Sequence, residues 1–368
     1  MITIAIKNLF YRKSRLLLSI LAIALAMVLI LVINGFAVGM FEQVTTYYYN
    51  IGTDVMVVQS GVEGMMTSMS SLPGSLRDEL RDIKDVDEVH EIISIPTIFL
   101  HRGEKTPIKL IGYHPGKIGG PWRLADGRSV RNVDEVVLDL ALARQNEIAV
   151  GDRVSIMGRD FKVVGLSLET ASWMTPLVFV DEGAAAGVLR AGDTVSVFLV
   201  TVKPQSGVDK VEKEIEDRLG QADVFTTGQM ARKERSAVEG LMGNVLTLIT
   251  TVAFGVGILV VGLTVYTSII ERISDYGILK SIGASNASLY ATVLVQSAII
   301  TVLGFVLGAF LSVYVGKAIE ALLPQFEVVI GVSTMIKGAV AAVIMAAAAA
   351  YTPVRRIASI DPSLVFKG

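Results

Sequence analysis

The chain has 368 residues, 52% of them hydrophobic and 18% charged; its mean hydropathy is +0.58. That is too apolar for an ordinary soluble protein, yet charged enough for a sizeable water-facing part. A net charge of -2 excludes a nucleic-acid partner, because a polyanion binder needs a basic surface to release counterions. The chain has no cysteine, which excludes disulfides, thiolate metal sites and cysteine nucleophiles.

In chain order, residues 1–15 form a basic segment with Lys7, Arg12, Lys13 and Arg15 and no acid. Four runs then approach or exceed the 20 or so apolar residues that a bilayer crossing requires. The first covers 16–41; it is too long for a signal-peptide core and reads as a retained anchor. Residues 42–238 follow as a water-facing domain. Within it TDVMVVQ reads as a strand, SGVEGMMTSMSSLPG as a mobile loop and SLRDELRDI as a short amphipathic helix. Short alternating runs from about 100 to 190 predict a β-rich insertion. TVSVFLVTVK and VDKVEKEIEDRLG predict a strand and a helix beyond it. The expected split is therefore an α/β part from 42–100 and 195–238, interrupted by the insertion. The second span is placed at 241–270, a charged insert at 271–285, the third span at 287–316, a short loop at 317–333, the fourth span at 334–353 and a tail at 354–368. The second and third runs exceed the hydrocarbon thickness, so their helices must tilt or project.

The fold class expected is an α-helical membrane protein with four transmembrane helices and a large α+β extracytoplasmic domain between helices 1 and 2. Lys and Arg flank the first span, the insert (Arg272, Lys280) and the tail (Arg355, Arg356, Lys367). This places both termini in the cytoplasm and the large domain outside.

Chemistry is sparse. No G-x-x-x-x-G-K-[ST] loop is present, so Walker-type phosphate binding is excluded. His90, His101 and His114 lack the close spacing of metal ligands and read as structural. Met65, Met66 and Met69 suggest a flexible apolar contact loop outside the membrane. The spans hold no ionisable group away from their ends, which argues against ion-coupled transport. Gly304 and Gly308 form a small-xxx-small face for helix packing or dimerisation, and Asn34, Asn244 and Gln296 are candidates for bonds between helices.

The insert ERISDYGILKSIGAS has apolar residues on both helical faces. From periodicity alone it is either a tight turn or a short helix gripped by a cytoplasmic partner. Its pattern resembles the signature cytoplasmic segment of FtsX-like permeases, the membrane subunits of MacB-type ABC transporters. Glu271, Arg272, Gly277, Leu279, Lys280, Ile282, Gly283 and Ala284 match it, Tyr276 fills the aromatic or aliphatic position, and Asp275 stands where Glu is usual. AIKNLFYRKSRLLLSILAIAL resembles the family's lead-in to span one, and Pro353, Ala358, Ile360 and Pro362 match its tail.

The resemblance implies that these insert residues couple to a separate cytoplasmic ABC ATPase subunit, which binds ATP and Mg; the chain itself needs no cofactor and is not an enzyme. It also implies a homodimer or paired permease in the inner (cytoplasmic) membrane that works by mechanotransmission, for export or extraction of amphipathic cargo such as lipid, lipoprotein, peptide or drug. An extracytoplasmic adaptor or effector protein is a further implied partner. One alternative is a regulator that activates an extracytoplasmic enzyme such as a wall hydrolase; another, from a different class, is a membrane-anchored sensor or enzyme.

Overall fold

The structure, a computed structural model, describes residues 13–172, 175–189, 192–270, 278, 280–281, 285–323 and 326–358. The chain divides into two compact units: residues 1–38, 244–322 and 328–368 in one, and 39–243 with 323–327 in the other.

The first unit is helical. It contains residues 13–38 of helix α1 (Lys13–Asn50), and the second unit holds two short helices, α2 (Leu76–Arg81) and α3 (Leu140–Gln145), and two longer ones, α4 (Glu182–Leu189) and α5 (Val208–Leu219). Helix α6 (Thr227–Ile270) returns to the helical unit, which α7 (Asn286–Leu322) and α8 (Val332–Ala358) complete. Four of these helices are long and apolar enough to cross a membrane. Their common core takes Ile23, Met27 and Ile30 from α1, Ala253 and Val261 from α6, Leu289, Val293 and Ile300 from α7, and Ala342, Met345 and Ala349 from α8.

All four long helices run past the span ends expected for them, α7 reaching Leu322 instead of 316. Helix α1 continues past residue 41 to Asn50, and α6 begins at Thr227, well before residue 241. Both extensions are amphipathic: Val44, Tyr47 and Tyr48 are buried on one, and Met230, Ala231, Glu234 and Val238 on the other, at i, i+1, i+4 and i+8. Helix α8 likewise runs through Pro353 to Ala358 instead of stopping near 353.

The second unit is built on one eleven-stranded sheet and a separate pair of two-residue strands, β2 and β11. Its strands in chain order are β1 (Val55–Gln59), β2 (Leu72–Pro73), β3 (Val86–His101), β4 (Glu104–Tyr113), β5 (Leu124–Gly127), β6 (Glu135–Asp139) and β7 (Arg153–Ile156), followed by β8 (Arg159–Ser167), β9 (Ala171–Ser172), β10 (Thr175–Asp181), β11 (Thr194–Val195), β12 (Val197–Val202) and β13 (Ala222–Thr226). The main path is β13-β1-β12-β3-β4-β10-β6-β8-β5. Its first four strands are antiparallel, and with α2 and α5 they make a β-α-β-β-α-β unit in ferredoxin-like order. Alternation sorts the side chains. Val55, Val57, Phe198 and Val200 face Leu80, Val211 and Ile215 of α2 and α5, while Met56, Val58, Val197 and Leu199 face Tyr47, Tyr48, Met230 and Ala231 of α1 and α6.

The expected α/β part and β insertion are both present, but no linker separates them. Strand β3 serves both: Val86 to Ile92 pair with β12, and Ile93 to His101 pair with β4. The β3–β4 turn is the two residues Arg102 and Gly103, both at positive φ (49° and 89°), the backbone that matches strand twist in a tight hairpin.

Candidate functional site

Of the predicted coupling residues, Lys280 is described, in helical conformation and half-buried. Glu271, Arg272, Asp275, Tyr276, Gly277, Leu279, Ile282, Gly283 and Ala284 lie outside the described residues.

Gly304 and Gly308 are packing positions within one chain. A Cβ at Gly304 would lie 2.5 Å from Ile23 Cγ2, and one at Gly308 would lie 2.6 Å from Met27 Cβ and 2.8 Å from the Ala24 carbonyl. They therefore seat α7 on α1, and the expected dimerisation role is not needed to explain them. Asn34 bonds within its own helix, Nδ2 donating to the Ile30 carbonyl at 2.8 Å. A bond between α7 and α8 comes from a residue not singled out in sequence, Ser297, whose hydroxyl donates to the Ala346 carbonyl at 3.1 Å.

The methionine loop needs the largest correction. Met69 is 71% exposed, but Met65 is 2% exposed and joins the domain core, with Met66 packed against it. The reason is a buried polar knot beneath the loop. The Tyr48 hydroxyl donates to Glu234 Oε2, which also accepts the Met66 amide at 2.8 Å. The Met65 amide donates to the Tyr48 hydroxyl oxygen at 3.0 Å. From the other side Lys109 Nζ donates to the carbonyls of Met65 (2.6 Å) and Met66 (2.9 Å). Gly64 lets the carboxylate approach, since a Cβ there would overlap Glu234. The knot thus ties α1, α6 and β4 to one loop.

Its electrostatics follow from burial. Desolvation pushes the Lys109 ammonium down to about 8, opposed by the Glu234 charge. Desolvation, then the Glu234 carboxylate, raise the Tyr48 phenol well above its ordinary range, so it stays a donor. Lys109 gives a pH test. At pH 7 it is charged folded and unfolded, and the cost of burying it is fully in force. Above pH 8 the folded chain releases the proton before the unfolded chain does, near 10.5. Stability should therefore rise by up to about 3 kcal/mol between pH 8 and 10 relative to Lys109→Met. Denaturant unfolding followed by tryptophan fluorescence checks this, because Trp122 packs edge-on to Tyr47 at 5.9 Å. A pH-independent difference between the two chains would contradict it.

His90 and His114 line one pocket, each beside its own carboxylate, and His101 lies apart from them. His90 Nε2 lies 2.8 Å from Glu88, His114 Nδ1 lies 3.1 Å from Glu182, and the His101 ring stacks on Phe99. Burial lowers the His90 pKa.

A model of the MacB-like periplasmic core domain matches residues 16–218, and one of the FtsX-like permease C-terminal region matches residues 247–362. The chain belongs to the MacB/FtsX-like permease family. Its relatives include an uncharacterized ABC transporter permease of Mycobacterium tuberculosis, 24% identical over the full length of both chains. Another is the macrolide export ATP-binding/permease protein MacB of Chlorobium luteolum, 23% identical over 88% of this chain and 52% of that protein. The crystal structure of the periplasmic region of MacB from Actinobacillus actinomycetemcomitans aligns with 50% of this chain and 94% of its own length, with 15% identity and a TM-score of 0.39. As an ABC transporter permease of MacB/FtsX type, this protein places its buried knot in the core-domain match, where Tyr48 and Lys109 lie, and at the head of α6, where Glu234 lies between the two matched regions.

Proposed function

We propose that this permease couples ATP hydrolysis by a separate cytoplasmic nucleotide-binding subunit to movement of its large outer domain, for export or extraction of an amphipathic cargo. The observation that carries the reading is the segment Glu271 to Ala284, whose residues match the family signature while the chain lacks a phosphate-cradling loop of its own. The knot supports it: α1 and α6 both end in the outer domain's core, so a shift of either helix bears directly on the sheet. In this reading both termini are cytoplasmic, the chain sits in the inner membrane beside a second permease, and ATP and Mg are held by the ATPase.

The test is at the insert. Gly277→Trp should block docking sterically, and Glu271→Lys with Asp275→Lys should reverse the local charge. Loss of a desolvated charged contact costs about 2–5 kcal/mol, against about 0–1 for an exposed pair. Co-purification of the ATPase and its stimulation by the permease should both fall sharply, with membrane insertion unchanged. Variants that retain normal association would reduce the segment to a turn.

A further inference from the structure

Beside the knot, in the outer unit, lies a groove of about 950 Å³. Arg232 and Lys233 of α6 form one wall, Glu212 and Glu216 of α5 form another, and Glu63 closes the end. Val224 and Phe225 of the edge strand β13 line the groove, and the Lys233 ammonium stands 4.1 Å from the centre of the Phe225 ring. Some charged residues of this domain are paired, as in Arg77–Glu91, Arg128–Glu135 and Lys210–Asp85. In the groove, none of the five charged side chains makes an ion pair or hydrogen bond with another described residue. Two cations and three carboxylates are thus held apart within one concavity, a lining suited to an occupant that itself carries both signs.

The remaining clue is along α6. The groove ends at Gly240 and Leu241, the latter 61% exposed, and from Leu241 to Ile270 the helix has no charged residue. The charged lining therefore stops where α6 turns apolar, the polarity profile of a lipid headgroup above its acyl chains.

We propose that this groove binds the headgroup of a zwitterionic phospholipid. Its phosphate lies against Arg232 and Lys233, and its ammonium against Glu212 and Glu216. The inference rests on the membrane-spanning reading of α6 and is independent of coupling to an ATPase.

The test uses the full chain, purified in detergent and delipidated, with bound lipid counted by native mass spectrometry as palmitoyl-oleoyl phosphatidylethanolamine or palmitoyl-oleoyl phosphatidylglycerol is added. The native chain should prefer phosphatidylethanolamine by about five- to tenfold, as expected for one or two partly solvated charge contacts. Glu212→Gln with Glu216→Gln should abolish that preference and leave phosphatidylglycerol binding intact. Arg232→Gln with Lys233→Gln should weaken both lipids, and Lys213→Gln, outside the groove, should change neither. Equal binding of the two lipids by the native chain, or insensitivity to both double substitutions, would overturn the proposal. So would a fall in dimer mass with either pair and unchanged lipid binding, which would assign the groove to a second copy of the chain. Stimulation of the ATPase, measured alongside, reports separately on the coupling segment.

Discussion

Glu234→Leu should lower the unfolding temperature of the β-sheet domain by roughly 10 °C, the effect of losing about 3–5 kcal/mol in a unit of this size. The substitution removes a fully buried carboxylate that accepts from Tyr48 and from the Met66 amide. Both donors then stay buried without an acceptor, and the Lys109 ammonium loses the one opposite charge that offsets its burial. Tyr48→Phe should cost less, about 1–3 kcal/mol, because Glu234 keeps the Met66 amide and only the Met65 amide is orphaned. The two changes together should cost clearly less than their sum, since they dismantle one network. Thermal unfolding of the full chain in detergent, read by near-ultraviolet dichroism, measures all three. Additive effects would show that Tyr48 and Glu234 act independently.

A second large effect is expected at Gly39. On α1, Gly35 and Gly39 form a small-xxx-small pair, but here the partner is extended chain. The Val329 amide donates to the Gly35 carbonyl at 3.0 Å. A Cβ on Gly39 would overlap the carbonyl of Glu327, which is backbone and has no rotamer to change. Further along, Glu320 Oε1 accepts the Val328 amide at 3.0 Å. Gly39→Leu should therefore lift the segment off the helix, at about 1–3 kcal/mol for the steric conflict and about 1 more for the hydrogen bond. A cysteine placed at Val329 is the sole thiol in this chain. Its labelling by a soluble reagent should be slow in the native background and many-fold faster with Gly39→Leu. Gly35→Ala, where the nearest atoms stand at 3.0–3.2 Å, should give an intermediate rate. Equal labelling in all three would show that the segment is not held there.

The elements legible in the sequence were those with a strong period or a long apolar run. The four long helices, the α5 helix with Val211, Ile215 and Leu219 inward, and the strand at Val55–Gln59 all follow from local pattern. The helix ends did not, because the extensions of α1 and α6 are amphipathic and their apolar stripe answers to a distant sheet. Nor did the knot: Tyr48, Lys109 and Glu234 are separated by 61 and 125 residues and carry no motif, so only tertiary structure brings them together. A local signal did exist in Gly64, beside two methionines, yet a glycine in a Ser- and Gly-rich stretch reads first as loop flexibility. Gly304 and Gly308 show the reverse case. Their spacing is that of a close helix contact, and α1 lies against them, but spacing alone does not say whose helix arrives.

Strand β3 has a mechanical consequence. Sixteen residues of pleated chain span about 50 Å, and they are stitched to β12 at one end and to β4 at the other. Its partners change between Ile92 and Ile93, and β3 itself runs unbroken across that point. The insertion is then the far arm of a beam rooted in the four-stranded sheet, and a rotation of about 10° at the root carries the tip of the Ile93–His101 arm, about 30 Å long, by about 5 Å. Small displacements at the roots of α1 and α6 therefore need no further moving part to become large ones at the Arg102–Gly103 turn.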